Sequence, residues 1–490
     1  MKKSVVFLKN VSFMSVCSFL LRSLGLSFSV YLSNTIGAGA MGTYHLILSV
    51  YFFSVTLASS GIGLTVTKLV SEELAKGNRG SVRSLLQKAL KYCLFCSGIA
   101  FVLLTLSAQF LVRKVFFGQI TATPFYILAV GLPFISISSA LSGYFIAIRK
   151  SGKTTFAQLF EQLFKMGFTV FLLSLTDTSD LTVISCVLVL GGTFAEILSC
   201  SFYYIAYRFE ERKIMRQKQN GQWRRIFSFC VPVAVSSYLR SGLSSVKQLL
   251  IPNRLMVFGI SNGIAEYGRV NGMVFPILMF PQAMLSAFAS LIVPEITEQH
   301  TLDRQKNLRR ILSKIFQITL LFSVAVGGIL LCFSDKLCLF FYGNTETAVY
   351  LRLLAPLVVM MYLDDIVDAV LKGINCQVTV VRINILDSAV GICLMWWLLP
   401  IYGIRGYLTV IAVGEILNGT LSMITLIRHT DCTFGFLRNI LFPSALIGVC
   451  VWCAKVLCPN GLWTAISLTV FLYVCLLYST GIFRYDDLKL

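Results

Sequence analysis

The chain alternates between long apolar runs and short polar loops. A helix that crosses a bilayer needs roughly 20 apolar residues, and runs of that length recur about fourteen times here. The predicted segments are 8–34, 42–67, 89–112, 122–148, 155–175, 181–207, 226–251, 265–293, 314–334, 347–371, 379–399, 404–427, 438–457 and 462–483. The pattern therefore predicts an all-α polytopic membrane protein with about fourteen transmembrane helices.

Composition and charge agree with this interpretation. Of the 490 residues, 56% are hydrophobic and 13% are charged, whereas a soluble domain carries about 25% charged residues. The net charge of +20 could indicate a nucleic-acid partner. Lys and Arg are instead concentrated in alternate loops, above all 68–83 and 208–225, which is the asymmetry that marks cytoplasmic loops. We therefore expect cytoplasmic termini and no nucleic-acid partner.

The two halves of the chain resemble each other, which predicts a repeated fold. The sequence SFLLRSLGLS at 18–27 returns as SYLRSGLS at 237–244, so Arg22 corresponds to Arg240. Further pairs follow in the same order: Tyr44 with Tyr267, Pro133 with Pro356, Arg149 with Lys372, and Glu196 with Glu415. Six segments therefore repeat as six, and an even number gives both halves the same orientation in the membrane.

This repeat predicts the domain organisation. We expect an N-terminal lobe at 1–207, a basic cytoplasmic linker at 208–225, a C-terminal lobe at 226–428 and a two-helix extension at 429–490. Two parallel lobes are typical of transporters that hold substrate between the lobes and work by alternating access. Gly272, Pro276 and Pro281 interrupt the eighth segment and are predicted hinge residues.

Three cations share one face of the seventh segment. Arg240, Lys247 and Arg254 are spaced by seven residues, close to two helical turns. Charged side chains inside a membrane span usually face the bundle interior or a water-filled cavity. With Arg22 they form a candidate site for an anionic, phosphate-bearing substrate, because arginine offers a bidentate fork to phosphate. The alternatives are ion pairing with buried carboxylates and, for Arg254, an interfacial position.

Several carboxylates also lie within predicted spans. They are Glu161, Glu196, Asp364, Asp365, Asp368, Asp387 and Glu415. Asp364 and Asp368 are four residues apart and share a helical face, and with Asp387 they are candidate ion-coupling residues for a cation or a proton. They could equally neutralise the arginines. Glu196 and Glu415 hold equivalent repeat positions, for which we expect a packing or lobe-bridging role rather than catalysis.

The sequence carries no convincing enzyme or cofactor motif. AIRKSGKT at 147–154 lacks the first glycine of a phosphate-binding loop and follows a predicted membrane helix rather than a strand. The pairs Cys93/Cys96 and Cys450/Cys453 lie in apolar segments without a nearby histidine, so neither metal nor redox chemistry is expected. We predict no catalytic residues, no cofactor and no metal.

At the level of motifs the chain resembles a known family. The motifs that show the resemblance are LLRSLGL with IGAGAMGTY, GIGLTVTKLVSE, SGYFIAIRKS with FEQLFK, YGRVNGMVFPILMFP with SLIVPEITE, and LRLLAPLVVMMYLDDIVDAVLKGIN. Their order is similar to that in the polysaccharide and lipid-linked oligosaccharide exporters close to stage V sporulation protein B and the lipid II flippases. These belong to the superfamily that also contains the multidrug and toxin extrusion antiporters.

The resemblance implies a fourteen-helix, two-lobed flippase in a bacterial cytoplasmic membrane. Its expected substrate is a polyprenyl-pyrophosphate-linked saccharide used for a cell wall, a spore wall or a polysaccharide. Arg22 matches the first arginine of the family's first-helix motif, while Phe28 and Ser29 occupy the region of the second. The last two helices are expected to accompany the lipid tail. Membrane lipid and wall-synthesis enzymes are the expected partners.

Two other functions stay open at this point. A cation-coupled multidrug antiporter would use the carboxylates as its working groups, although the cationic face would repel its substrates. A scaffold for wall-synthesis enzymes would need none of the charged residues within the spans.

Overall fold

The structure is a computed structural model that describes residues 2–59, 61–177, 180–211, 222–260, 262–430, 437–459 and 461–480. Regular structure in these ranges is entirely helical, which confirms the predicted fold class. The α-helices are α1 Lys2–Ser59, α2 Ile62–Ala75, α3 Arg79–Lys114, α4 Thr123–Ala147, α5 Ser151–Leu175, α6 Leu181–Glu211, α7 Gln222–Val257, α8 Gly263–Gly268, α9 Phe275–Met279, α10 Gln282–Thr301, α11 Gln305–Cys332, α12 Ser334–Tyr342, α13 Ala348–Leu354, α14 Val358–Gly373, α15 Gln377–Thr430, α16 Phe442–Leu457 and α17 Leu462–Ser479.

The predicted number of about fourteen spans is not confirmed. Ten helical stretches among the described residues are long and apolar enough to cross a membrane. Helix α15 contains the eleventh and twelfth predicted segments, and α1 contains the first and most of the second. In each helix the two segments meet at a glycine: Gly37 has φ 74° and Gly403 has φ 55°. L-residues with a side chain rarely adopt such angles, so glycine permits these turns. The eighth and tenth predicted segments are built from shorter helices.

One predicted loop is partly helical. Residues 68–83 were expected to form a cytoplasmic loop, but α2 continues to Ala75 and α3 begins at Arg79. The chain turns earlier, at Gly61, where φ is 69°. Charge density was therefore a poor guide to the end of this helix, since exposed charged residues are tolerated on a helix that extends beyond the apolar part of a span.

The chain divides into two compact units. The first unit comprises Met1–Phe28 and Ile36–Gly268, and the second comprises Ser29–Thr35 and Arg269–Leu490. Helices α7 and α8 thus pack within the first unit, whereas the repeat groups them with the C-terminal lobe. The linker at 208–225, inferred from the repeat, stays a prediction. A sequence repeat groups helices by their similarity, whereas a compact unit groups them by their packing. Residues 212–221 of that linker lie outside the described residues.

The core of the first unit is formed by α2, α3, α4, α6 and the start of α7. Its buried members include Leu69, Leu85, Leu141, Tyr207 and Ile226. Small residues bring the helices close together. A Cβ atom at Gly143 of α4 would clash with the carbonyl oxygen of Gly63 in α2, which is the close approach that small residues permit between membrane helices.

The first residues of α7 are tied to α2 by an ionic cluster. Arg225 contacts Glu73 at 2.5 Å and Glu72 at 2.9 Å, and Ser81 donates a hydrogen bond to Glu73 at 2.5 Å. Glu73 is 1% exposed. This end of the basic linker is therefore part of the folded unit, and its charge has a partner within the protein.

The core of the second unit lies around α11 and α14. Tyr362 of α14 donates a hydrogen bond to the carbonyl of Leu278 at 2.6 Å. The two C-terminal helices pack on α11: Ile447 of α16 lies against Gly328, and Tyr473 of α17 donates to the carbonyl of Leu321 at 3.2 Å. The predicted extension is thus helical and is packed onto the second unit.

Candidate functional site

The three cations of the seventh segment lie on one continuous helix. Helix α7 runs from Gln222 to Val257 and carries Arg240, Lys247 and Arg254. The exposure of these side chains differs: Arg240 is exposed, whereas Lys247 and Arg254 are partly buried. At 3.6 residues per turn their spacing places all three on one face of α7.

The opposite face of α7 packs against α1. Ser245 donates a hydrogen bond to the Ser49 carbonyl at 2.7 Å, and the hydroxyls of Thr56 and Ser241 are 3.1 Å apart. Gly242 lies against the ring of Phe53. Ser241, Gly242 and Ser245 are on the side of the helix roughly opposite the cations. The cations therefore lie on the side of α7 that faces away from α1.

Arg22 belongs to the same unit as α7. It lies in the part of α1 before Gly37, and its side chain is exposed. Within the described ranges neither Arg22 nor Arg240 forms an ion pair, so the pairing that could neutralise these two arginines is not observed. Lys247 and Arg254 do have interaction partners. Two arginines of the predicted site are thus open to an anion.

The candidate ion-coupling residues lie in the second unit. Asp364 accepts a hydrogen bond from the Asn418 amide at 2.7 Å, and Asp368 is 3.6 Å from the Lys372 ammonium. Asp387 is in α15, in the same unit. Each of Asp364 and Asp368 keeps one buried oxygen without a hydrogen-bond partner in the described part of the chain.

These aspartates do not form a metal cage from protein ligands alone. No group of three or more His, Cys, Asp or Glu side chains within the described residues could hold a metal ion. Their partners are an amide, a hydroxyl and one ammonium, since Ser286 donates to Asp365 at 3.1 Å. Their role in ion coupling stays a prediction.

The predicted hinge residues lie where the helical geometry changes. Gly272 is in a π-helical stretch, Arg269–Val274, and Pro276 is in the first turn of α9. Pro281 precedes α10. A π-helical stretch and two prolines interrupt the regular hydrogen-bond ladder. Movement about these residues stays a prediction.

A second group of polar residues lies within the first unit, and the sequence revealed it only in part. The Tyr51 hydroxyl lies 2.5 Å from both carboxylate oxygens of Glu196. Glu161 and Lys165, four residues apart on α5, interact with the same group. The sequence named both glutamates but neither Lys165 nor Tyr51. The spacing of Glu161 and Lys165 in an apolar helix was the available signal.

Comparison with known proteins gives consistent results. A protein-family model described as "Polysaccharide biosynthesis protein" matches residues 7–300. The chain is 21% identical over 455 residues to stage V sporulation protein B of Bacillus subtilis (strain 168), covering 91% of this chain and 88% of that protein. It is 24% identical over 486 residues to lipid II flippase MurJ of the same strain, covering 91% and 87%.

A solved structure shares the fold over nearly the whole length. The lipid II flippase MurJ in an inward closed conformation aligns with a TM-score of 0.71 at 15% identity, covering 98% of this chain and 100% of that one. This likeness confirms the expected all-helical transporter fold, and the sequence relatives confirm the expected family resemblance.

Proposed function

Because this chain belongs to the polysaccharide biosynthesis protein family, we propose that it is a flippase for a polyprenyl-pyrophosphate-linked saccharide. The protein is a multi-pass membrane protein, and its relatives are flippases and sporulation proteins rather than catalysts. The proposed cycle is alternating access in a bacterial cytoplasmic membrane with both termini in the cytoplasm. The saccharide serves a cell wall, a spore wall or an exported polysaccharide.

One observation carries the proposal: a membrane helix carries three cations on one face, roughly opposite the residues by which it packs against α1. A cationic face inside a span is costly in lipid and favourable beside an anion. A pyrophosphate linking a lipid to a sugar is such an anion, and its oxygens match the donor fork of arginine. Arg22, Arg240 and Lys247 are the proposed pyrophosphate ligands, and Arg254 guides the outer exit.

The other candidate residues take supporting roles in the proposal. Helices α16 and α17 accompany the lipid tail. Asp364, Asp368 and Asp387 couple the cycle to a cation or a proton, and Gly272, Pro276 and Pro281 accommodate the rearrangement. Wall-synthesis enzymes are proposed partners, which would receive the saccharide after its transfer.

Native mass spectrometry of the purified full-length protein tests the anion site. Polyprenyl-pyrophosphate saccharides and organic cations are offered in competition to the wild type and to Arg22→Ala/Arg240→Ala. We expect the wild type to retain the pyrophosphate lipid and the double variant to retain at least about tenfold less, because a hydrogen bond to a charged group contributes about 1.5–3 kcal/mol.

The matched control is Arg113→Ala/Lys114→Ala, which removes two exposed cations at the end of α3. It should retain the lipid as the wild type does. Equal loss in both double variants would reduce the effect to net charge and contradict a specific site. Retention of organic cations instead, abolished by Asp364→Asn/Asp368→Asn, would favour the antiporter alternative.

A further inference from the structure

The polar group around Glu196 joins three helices inside the first unit. We call Tyr44, Tyr51, Glu161, Lys165 and Glu196 the Glu196 network. Tyr51 binds both oxygens of Glu196, and Lys165 is in hydrogen-bonding contact with the Tyr44 hydroxyl. Both tyrosines are buried, while the glutamates and the lysine are partly buried. Helices α1, α5 and α6 therefore meet through charged groups at a depth where polypeptide is otherwise apolar.

Glycines on two helices lie beside these charged groups, and the glycine on α4 leaves room for a carboxylate. A Cβ atom at Gly131 of α4 would lie 2.9 Å from Glu196 Oε2, and one at Gly192 of α6 would lie 3.9 Å from the Lys165 side chain. Gly192 is one turn before Glu196, so the stem of Lys165 runs along α6 toward that carboxylate. The Lys165 ammonium interacts electrostatically with both glutamates.

The Glu196 network lies on a different face of α5 from the exposed apolar side chains. Phe160, Leu163 and Phe171 are between 39% and 56% exposed and point to one side of the helix. Glu161 and Lys165 share another side of the helix, at least about a quarter of a turn from the apolar side. The apolar side meets lipid, and the polar side meets α1 and α6.

The charges of the network do not balance when both carboxyl groups are ionised. Two carboxylates face one ammonium, and the other groups that act on them are neutral hydroxyls, that of Tyr51 on Glu196 and that of Ser199 on Glu161. The imidazole of His45 interacts with Lys165. Tyr203 of α6 also acts on Glu161, and α4 contributes no charged side chain between Thr123 and Ala147. An uncompensated charge in a low-dielectric interior is unfavourable. One proton held between the two carboxyl groups makes the network neutral.

We propose that the Glu196 network is a proton-binding site at which Glu161 and Glu196 together hold one exchangeable proton. A metal cation fits less well, because the Lys165 ammonium already interacts with both carboxylates and the Tyr51 hydroxyl engages both oxygens of Glu196. Release of the proton changes the network from neutral to one negative charge. A rearrangement of α1, α5 and α6 that alters the distances to Lys165 changes the proton affinity, so the proton is coupled to conformation.

Infrared spectroscopy of the full-length protein reconstituted in lipid tests proton binding directly. A protonated carboxylic acid has a carbonyl stretch that a carboxylate lacks, and the sample is perfused with buffers of stepped pH. We expect a component of this band that disappears as the pH rises in the wild type. Glu161→Gln and Glu196→Gln should each lose that component, because the one remaining carboxylate is balanced by Lys165.

Two further variants test whether the band depends on the number of charges in the Glu196 network. Lys165→Met leaves two carboxyl groups without an ammonium, so at low pH we expect the network component to be about twofold larger than in the wild type. Glu415→Gln makes the same exchange at the matching repeat position of the second unit and should keep the component. If Glu196→Gln does not fold, Glu161→Gln and Lys165→Met carry the test.

Spectra in which Glu161→Gln and Lys165→Met match the wild type would overturn the proposal. The link to transport rests on the proposed flippase function, but the infrared measurement contains no lipid-linked saccharide. The flippase proposal can therefore fail while proton binding holds. If both hold, Glu161→Gln should retain the pyrophosphate lipid and lose the pH dependence of its transfer in liposomes.

Discussion

The two units surround their carboxylates with different partners. In the first unit Lys165 interacts electrostatically with both Glu161 and Glu196, and the hydroxyl of Tyr51 binds Glu196. In the second unit Asp364 and Asp365 are bound by neutral donors, from Asn418 and Ser286. Partners contributed by neighbouring helices decide how each charge is stabilised.

The strongest test of this difference is to remove Lys165. In Lys165→Met two carboxylates lose their cation, and we expect a loss of about 3 kcal/mol in the free energy of unfolding at neutral pH. Thermal unfolding in detergent, followed by circular dichroism, measures it. The double variant Lys165→Met/Glu161→Gln should recover part of this stability, since one uncompensated charge is removed. No recovery would mean that Lys165 contributes packing rather than charge.

A smaller effect is expected in the second unit from Asn418→Leu. Asp364 loses its hydrogen bond of 2.7 Å, and leaving a buried acceptor without its donor costs about 2 kcal/mol. The same unfolding measurement applies. In an Asp364→Asn background the substitution should cost less, because the charge that needs the amide is gone. Equal costs in both backgrounds would contradict a direct interaction.

The smallest effect is expected from Lys372→Met, the counterpart of the first change. The Lys372 side chain is 53% exposed and lies 3.6 Å from Asp368. Exposed pairs of this kind contribute at most about 1 kcal/mol. The ratio of the two lysine effects therefore sharpens the comparison between the units. A loss as large as that of Lys165→Met would place the two lysines in the same role.

The sequence predicted the helical fold, but not which helices pack together. The cations of α7 were expected on one face because their spacing follows the helical repeat, which is a local property. The packing of α7 against α1 could not be predicted, since it depends on pairs such as Ser49 with Ser245 that are 196 residues apart. The repeat groups α7 with the C-terminal lobe, and this grouping stays a prediction.

The candidate sites, too, were predicted only as far as local spacing allows. Glu161 and Glu196 were recognised as charges within apolar segments, and Asp364 and Asp368 as neighbours on one face. Tyr51 was not recognised, because a tyrosine in an apolar segment usually belongs to the core and only the packing of α1 against α6 gives it a carboxylate. Local spacing predicts which residues share a face, and tertiary packing decides which of them meet.

The pairing of Glu161 with Lys165 also bears on how the chain is inserted during synthesis. Helix α5 leaves the translocon before α6 exists, so Glu196 cannot yet assist it. A charged residue at the centre of an inserting helix costs about 2.5–3.5 kcal/mol, and α5 carries two. Their spacing of four residues, with the glutamate first, lets each side chain screen the other within the helix itself. Glu161 and Lys165, which belong to the Glu196 network in the folded unit, therefore also help α5 to enter the bilayer before α6 is present.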